Sequence, residues 1–581
     1  MPATPWDDRQ TLLDDEVAKL SEAGYEVLEV RTLGNGISEL LVRAPDEKTG
    51  IGDVELRIDL PGSYPTMPPD VFADELSLPH HQHPFNKNLC LIERGTKNWI
   101  PQWQLAGLLD NQLKRAIDAG NAAPGEATDE FEQGEPFSAY YTYRPNSAVL
   151  CDVQGLAPSP GDNGKITVSL LLDPLVEDRM VGTLDEIVVD GTARAADRVH
   201  AVFGRFRPDL LEGRWIMMDR PPSTDDPTAM WRLAEEADLL RTSGTRCSGD
   251  VTREVRLVAF PEENGYNSIG TGWIFLVKEH GAFHGSRKSR RSKDARQDPD
   301  VCHMLPVYRA ARDDLVTRSP ETRGLESKSV MVIGCGAIGS VLVEHLARAG
   351  VGKFHLVDSD RLEPGNLSRH ACGIDMAGAN KVSALARRVI EVSPHAEVWS
   401  THGSIGATRP AGGEITETEA LTETMGSVDL VVDATAEIGI QEYSSMISRL
   451  AGTTWICVDG TPGVGGGCVV RIDGDADPCF SCHCWHQYRG SLPTPTSVHS
   501  DLVQPAGCAA PTFSGTGFDL AVVSVQATRV AVGALLRGVP GAYPEDGYDV
   551  HVLELRDEQG NVRPPTWTGF KLTRHDECSF H

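Results

Sequence analysis

The stretch "KSVMVIGCGAIGSVLVEHLARAG", residues 328–350, decides the architecture of the second half of the chain. It opens with an unbroken apolar run of strand length, passes through Gly334, Gly336 and Gly339, and continues with apolar residues at helical spacing. A strand covered on both faces reads as such a continuous run. Glycine at the strand-to-helix turn lets the backbone bend tightly and lets its N–H groups approach a phosphate at the helix N-terminus. Further strands are expected at "GKFHLVD", "VDLVVDATAE" and "TWICVDGTP", which together predict a doubly wound α/β sheet that binds an adenine nucleotide.

Asp358, closing the second strand, is placed to accept hydrogen bonds from a ribose. A dinucleotide oxidoreductase would need the same carboxylate, and the next segments separate the two. "DSDRLEPGNLSRH" and "GANKVSALARRVI" supply Asn366, Arg369 and Lys381, one amide and two cations directed at the same phosphates. That set suits a triphosphate attacked at its α-phosphorus better than it suits hydride transfer.

The order GxGxxG, Asp358-x-Asp360, N-L-x-R and then Lys381 resembles the ThiF/MoeB-like adenylyltransferases, the superfamily of the ubiquitin-activating enzymes, over about residues 305–581. The resemblance implies that ATP and Mg²⁺ adenylate the C-terminal carboxylate of a protein ending in glycine. Asp358 would hold the ribose, Asn366, Arg369 and Lys381 the phosphates, and Arg309 or Arg312 an upstream arginine contact. Where the family has "TDN" this chain reads "DATAE", with Ala436 in place of the metal-binding aspartate. Asp433, Glu437 or Asp360 is then left for Mg²⁺, a hard cation that takes carboxylate oxygen. The resemblance also implies a homodimer through this domain.

At 581 residues the chain predicts several domains. The divisions expected are 1–120, a linker over 121–145 marked by "GNAAPGEATDEFEQGEPFS" at residues 120–138, a middle α/β region over 146–304, and 305–581. A formal charge of -29 excludes a broad electrostatic grip on nucleic acid or on an anionic membrane. The basic run "SRKSRRSKD", residues 286–294, reads as a solvated loop. "MPATPWDDRQ" lacks the order of a secretory signal and no apolar run is expected to span a bilayer, so the expected location is the cytoplasm. In such a reducing compartment 13 cysteines read as buried thiols, metal ligands and nucleophiles.

In the first region "YEVLEVRTLG", "SELLVRAP" and "VELRIDLPG" read as strands, and Leu105, Leu108, Leu109, Leu113 and Ile117 as one helix face: an α+β domain. Tyr64, Pro65, Pro68, Pro69, Val71, His83, Pro84, Leu89, Cys90, Leu91, Trp99 and Pro101 form an ordered set that resembles the ubiquitin-conjugating fold. The resemblance implies that Cys90 carries a thioester. The usual H-P-N reads "HPFN", leaving Asn86 or Asn88 to support the oxyanion, while His80, His81 and His83 crowd the approach.

Two later cysteine groups complete the reading. "DPCFSCHCWH" holds Cys479 and Cys482 as half a zinc site. Since the adenylating family joins two such pairs, His575 and Cys578 are expected to complete a structural Zn²⁺ site, with Cys484 and His486 as substitutes. "GCAAPTFSGTGFDL" places Cys508 in the loop that crosses the nucleotide site in the resembling family and carries its acyl-accepting cysteine. A thiolate attacks a mixed anhydride readily, and the helix starting near Thr516 would favour its ionisation.

The two modules together resemble the activating and conjugating fusion enzymes of bacterial ubiquitin-like systems, as in CBASS antiphage operons. That implies a path from carboxylate to acyl-AMP, to Cys508, to Cys90 and finally to a lysine amine. The protein activated would be a cGAS-like nucleotidyltransferase or a ubiquitin-like protein. Rival readings are a sulfur-carrier activator, a binding scaffold with an inert nucleotide site, and an NAD oxidoreductase.

Overall fold

The computed structural model describes residues 9–92, 99–122, 136–153, 155–156, 158–196, 203, 206–237, 252–265, 268–280, 283–284, 296–297, 299–406, 417–474, 478–498, 513–557 and 559–580. The chain forms two compact units, Met1–Ala196 with Arg205–Tyr308, and Asp197–Gly204 with Arg309–His581.

The first unit begins with an antiparallel sheet in simple succession, Glu26–Thr32, Ser38–Ala44, Val54–Leu60 and Asp70–Phe72. The middle strands bury every second residue, so one face is core. Leu40, Val42, Leu56 and Ile58 meet Leu105, Leu108, Leu109, Leu113 and Ile117 of the helix Gln104–Gly120. Two polar ties lie within this core. The Tyr64 hydroxyl donates to Glu16 Oε1 at 2.6 Å, and the Leu105 N–H donates to Glu16 Oε2 at 3.0 Å. Burial pushes the Glu16 carboxyl above its ordinary range, against those two hydrogen bonds. Trp99 Nε1 donates to the Pro65 carbonyl at 2.8 Å, joining the tyrosine-proline turn to the tryptophan that follows Cys90.

The middle region carries more sheet than an α/β reading allows. Its eight strands run Ala148–Cys151, Val301–Arg309, Ser268–Glu279, Arg253–Gly265, Asp209–Met217, Asn163–Leu172, Met180–Val189 and Thr192–Ala195. Ala148–Cys151 also pairs with Met180–Val189, which closes the first seven into a ring. Leu257 and Ala259 face one apolar core while Val258 and Phe260 face another, under Met230 and Trp231 of the helix Pro227–Ala237. Both faces are covered, so "LVAF", residues 257–260, runs apolar without alternation.

The expected linker over 121–145 is anchored at its end. Tyr141 is buried and its hydroxyl donates to the Pro222 carbonyl at 2.7 Å. Phe137 and Tyr141 meet Phe85, near Cys90 in sequence, and Phe260 of the ring in tilted and edge-on contacts. Four aromatic rings supply the burial that an exposed linker would lack.

The second unit is an eight-stranded sheet in the order Glu397–His402, Lys353–Asp358, Ser329–Ile333, Leu430–Asp433, Thr454–Gly460, Gly466–Ile472, Val550–Arg556 and Val562–Phe570. The first five strands are parallel, as expected of a doubly wound sheet, and the last three continue it antiparallel. The helix Gly517–Leu535 is long and apolar enough to cross a bilayer by length and composition, contrary to the expectation that no run would be. Its Leu520, Val523, Ala527, Val530 and Ala531 are buried in the core shared with Leu342, Leu346 and Val469. A helix enclosed on most sides reads apolar for that reason.

Replacing Glu16 with alanine strands the Tyr64 hydroxyl and the Leu105 amide in the core. The expected cost is about 2 kcal/mol, read as a roughly 30-fold loss of hydrogen-exchange protection over Leu105–Leu113, with the strand Ser329–Ile333 unaffected.

Candidate functional site

The turn after Ser329–Ile333 is shaped by three glycines with three different tasks. Gly334 has φ +87°, and a Cβ there would lie 2.8 Å from the Ala434 carbonyl carbon. A Cβ on Gly339 would lie 1.9 Å from the Gly334 oxygen, so glycine alone lets the helix Ala337–Ala349 pack onto the strand end. A Cβ on Gly336 would meet nothing within 4 Å, because that side opens onto a cleft. Gly336 is also the N-cap of the helix and supplies no side-chain acceptor, which leaves the first helical N–H groups for a ligand.

The cleft has two adjoining parts. One, of about 790 Å³, is lined by Gly336, Asp358, Asp360, Lys381, Thr435 and Glu437 among others. The other, of about 210 Å³, is lined by Asn366, Arg369, His370, Ala436 and Phe513 and shares Gly336, Lys381, Ala434 and Thr435 with the first. Asp358 Oδ2 accepts the Cys335 N–H at 2.7 Å and its Oδ1 accepts the Asp360 N–H at 2.7 Å. Lys381 Nζ lies 2.7 Å from Asp360 Oδ2, and the Lys381 N–H donates to the Asp360 carbonyl at 2.9 Å. Asn366 Oδ1 accepts the Glu363 N–H at 3.0 Å, and the Arg369 guanidinium donates to the Phe513 carbonyl. Asn366, Arg369 and Lys381, expected from sequence to converge on the same phosphates, line one cavity.

His370 was not singled out by sequence, although it closes the quoted "NLSRH". Its Nδ1 accepts the Cys372 N–H at 3.1 Å, so Nε2 carries the proton that the Cys335 carbonyl accepts at 2.9 Å. Burial lowers its pKa, which keeps this brace beneath the glycine turn neutral.

Asp433 does not serve the cleft. It is fully buried, accepting from the Thr435 N–H at 3.0 Å and from the Thr435 and Ser444 hydroxyls at 2.7 Å each, and burial raises its carboxyl above the ordinary range. A strand-end aspartate turned into the core in this way is absent from the lining of either part of the cleft. Asp360 and Glu437 are the carboxylates expected for Mg²⁺ that line the cavity. Arg309 pairs with Asp314, and Arg312 donates to the carbonyls of Glu326 and His395, so both upstream arginines serve local structure.

Cys479, Cys482 and Cys578 place their sulfurs within 4.8 Å of one another and are buried. Cys479 Sγ is 3.8 Å from Cys482 Sγ and 3.5 Å from Cys578 Sγ. The imidazole of His575, the fourth expected ligand, does not join them. Its Nδ1 accepts the Glu577 N–H at 3.1 Å and its ring stacks on Trp485, while its backbone N–H donates to Cys482 Sγ at 3.4 Å. Burial and the neighbouring thiols push Cys578 up to about 12, so a cation must displace its proton to bind there. Three soft sulfurs fit zinc.

In the first unit Cys90 is exposed, while its neighbours Leu89 and Leu91 are buried. The amide candidates for an oxyanion are engaged locally: Asn88 Nδ2 donates to Asp70 Oδ1 at 3.1 Å, and Asn86 Oδ1 accepts the Asn88 N–H at 3.0 Å. Cys508 lies outside the described residues.

The sequence model of the ThiF family matches residues 312–532, and that of prokaryotic E2 family B matches residues 39–150. Protein y4qC of Sinorhizobium fredii (strain NBRC 101917 / NGR234) is 30% identical over 552 residues, covering 90% of this chain and 89% of its own length. The chain belongs to the bacterial family that fuses an E2 domain to a ThiF domain. A second relative from the same strain, protein y4oA, is 29% identical over 557 residues, 91% of this chain and 90% of the relative. The ATP-dependent ubiquitin transferase-like protein Cap2 of Vibrio cholerae serotype O1 (strain ATCC 39315 / El Tor Inaba N16961) is 28% identical over 462 residues, 74% of this chain and 73% of Cap2. This E2–ThiF fusion is accordingly an enzyme of the adenylyltransferase and ubiquitin-transfer type.

The glycines give a paired test. Gly336→Ala should weaken ATP binding about tenfold by calorimetry with the melting temperature unchanged, because its methyl fills only ligand space. Gly339→Ala should destabilise the second unit by about 3 kcal/mol in denaturant unfolding, because its methyl meets a carbonyl oxygen.

Proposed function

We propose that this E2–ThiF fusion adenylates the C-terminal glycine of a partner protein, passes the acyl group to Cys508 and then to Cys90, and ligates it to a lysine amine. The observation that carries this reading is the meeting of the open Gly336 turn with Asp358, Lys381, Arg369 and Asn366 in one cleft, in a chain that also exposes Cys90 on a conjugating-type domain.

Bound ATP supplies an electrophilic α-phosphorus and pyrophosphate as leaving group. Asp358 retains lone pairs beyond its two backbone bonds and accepts from the ribose. Lys381 and Arg369 neutralise charge as the substrate carboxylate attacks, and the helix N–H groups after Gly336 do the same from the other side. Asp360 and Glu437 would hold Mg²⁺, which lowers phosphate repulsion. The thiolate of Cys508 then displaces AMP, and the thiolate of Cys90 displaces Cys508. Each exchange conserves the energy of the acyl bond until an amine ends the sequence.

Likeness to Cap2 supports a place in CBASS-type antiphage conjugation, with a cGAS-like nucleotidyltransferase or a ubiquitin-like protein as the molecule activated. The proposed location is the cytoplasm and the proposed assembly a homodimer through the ThiF domain. Cys479, Cys482 and Cys578 are assigned to a structural zinc.

Mass spectrometry of the ATP-treated chain with its partner protein orders the thiols. Cys90→Ala should leave the acyl group on Cys508, and Cys508→Ala should prevent charging of Cys90 while pyrophosphate exchange continues. Lys381→Ala should lower exchange by roughly 10²-fold or more. Ligation that persists with both cysteines replaced refutes the relay. Elemental analysis should find zinc in the purified chain and lose it with Cys578→Ser.

A further inference from the structure

Cys90 hangs from a hairpin that turns at residues 84–87. The Cys90 N–H donates to the His81 carbonyl and the His83 N–H to the Asn88 carbonyl, each at 2.7 Å, around a bridge between Gln82 and Leu89. The Leu89 N–H donates to the Val71 carbonyl at 2.7 Å and the Ala73 N–H to the Lys87 carbonyl at 3.0 Å, which ties the returning arm to the strand Asp70–Phe72 and the residue after it. The thiol itself meets the Ile92 carbonyl at 3.9 Å. His81 and Lys87 hold φ +57° and +67°. Left-handed conformations cost a non-glycine residue free energy and persist where the surroundings impose them.

Part of those surroundings belongs to the middle region. At the hairpin tip, the ring of Phe85 lies 5.4 Å from that of Tyr141 and 6.0 Å from that of Phe137, and both of those rings meet Phe260 of the closed sheet. Phe85 packs in this way on the same apolar cluster as Met230, Trp231 and Val258. The His83 ring meets Tyr140 edge-on at 4.9 Å. At the hairpin base, His80 Nε2 lies 3.5 Å from Oε2 of Glu263, whose side chain is 6% exposed. The aromatic segment is fastened to the same strand, because the Ser138 N–H and hydroxyl donate to Glu262 at 2.7 and 3.0 Å and the Tyr143 hydroxyl donates to the Ser138 carbonyl at 2.7 Å. The hairpin is thus gripped at tip and base by the strand Arg253–Gly265 and the segment bonded to it. Phe85 is the residue that separates Pro84 from Asn86 in "HPFN", where the resembling family has H-P-N.

We propose that the closed sheet of the middle region is a working part of the conjugating site, and that Phe85 is a positioning residue for Cys90. The inference rests on the reading of Cys90 as a thioester carrier. It gives the middle region the task of fixing where the acyl group stands when an amine arrives. In that step a neutral lysine nitrogen bonds to the acyl carbon, the C–S bond breaks, and the proton lost by the nitrogen reaches the departing thiolate through water. A misplacement of about 1 Å at such a step costs about 10²-fold in rate.

The test uses the full chain with Cys90 charged chemically by N-acetylglycine thiophenyl ester, the adduct located by peptide mapping, and discharge to free lysine followed by intact mass. Phe85→Ala and Phe137→Ala should each slow discharge roughly 30-fold, and the double variant should be no slower than either single one, because both remove the same contact. Phe85→Tyr, which keeps the ring, should restore the rate to within about threefold of wild type. In the alanine variants amide exchange should rise over residues 80–90 and stay unchanged over Val54–Leu60, the mark of a loosened hairpin on a folded domain. Discharge at the wild-type rate in the alanine variants overturns the role of Phe85 and of the middle region. So does slowing that comes with faster exchange across Val54–Leu60, slowing that the tyrosine variant shares, or losses that multiply in the double variant. A wild-type chain whose charged Cys90 never discharges to lysine overturns the reading of Cys90 with it.

Discussion

The carboxylate of Asp358 holds the nucleotide cleft together. Its two oxygens accept backbone N–H groups from Cys335, inside the glycine turn, and from Asp360, at the next strand's exit, each at 2.7 Å. Charge-assisted bonds of this kind are stronger than neutral ones and fix direction as well as distance. Asp360 in turn holds Lys381 by main chain and side chain, so the cation at the head of the helix Lys381–Val392 is positioned through two carboxylates from the strand end. The glycine turn, Asp358, Asp360 and Lys381 are thus joined by one continuous chain of hydrogen bonds.

The first unit uses a carboxylate in a comparable way but spends it on structure. Glu16 lies under the conjugating-type domain and gathers the Tyr64 hydroxyl and the Leu105 amide. The proline-rich path after Tyr64 and the helix after Trp103 therefore start from the same buried group, and the cysteine loop is strung between them. On its other side that loop leans on rings contributed by the chain just before the closed sheet. Tyr64 and Trp99 shape the neighbourhood of the thiol from inside, without approaching the chemistry.

Much of this was legible because the relevant residues obey local rules. Gly334 and Gly339 are demanded by backbone geometry within the turn itself, and the parallel strands advertise themselves as continuous apolar runs. What failed to show depended on direction in three dimensions. Asp433 and Asp360 both follow strands, yet one carboxylate turns into the core and the other lines the cleft. His575 has the right spacing from Cys578, but its ring is taken by Trp485 and its backbone by Cys482. The closed ring of the middle region rests on pairings between residues more than a hundred positions apart, such as Ala148–Cys151 with Val301–Arg309, and no spacing along the chain announces them.

The long apolar helix Gly517–Leu535 bears on how the protein is made. Much of what covers it, the helix Ala337–Ala349 and the strands Thr454–Gly460 and Gly466–Ile472, precedes it in the chain. As the ribosome releases residue after residue, the receptor for this sticky segment has already been translated, and the segment can be captured as it emerges. Pro544 and Glu545, which close on Gly533, and the hairpin Val550–Arg556 with Val562–Phe570 come later, the hairpin adding to an edge that is by then in place. A stretch with the length of a membrane anchor thus meets most of its apolar partners already made.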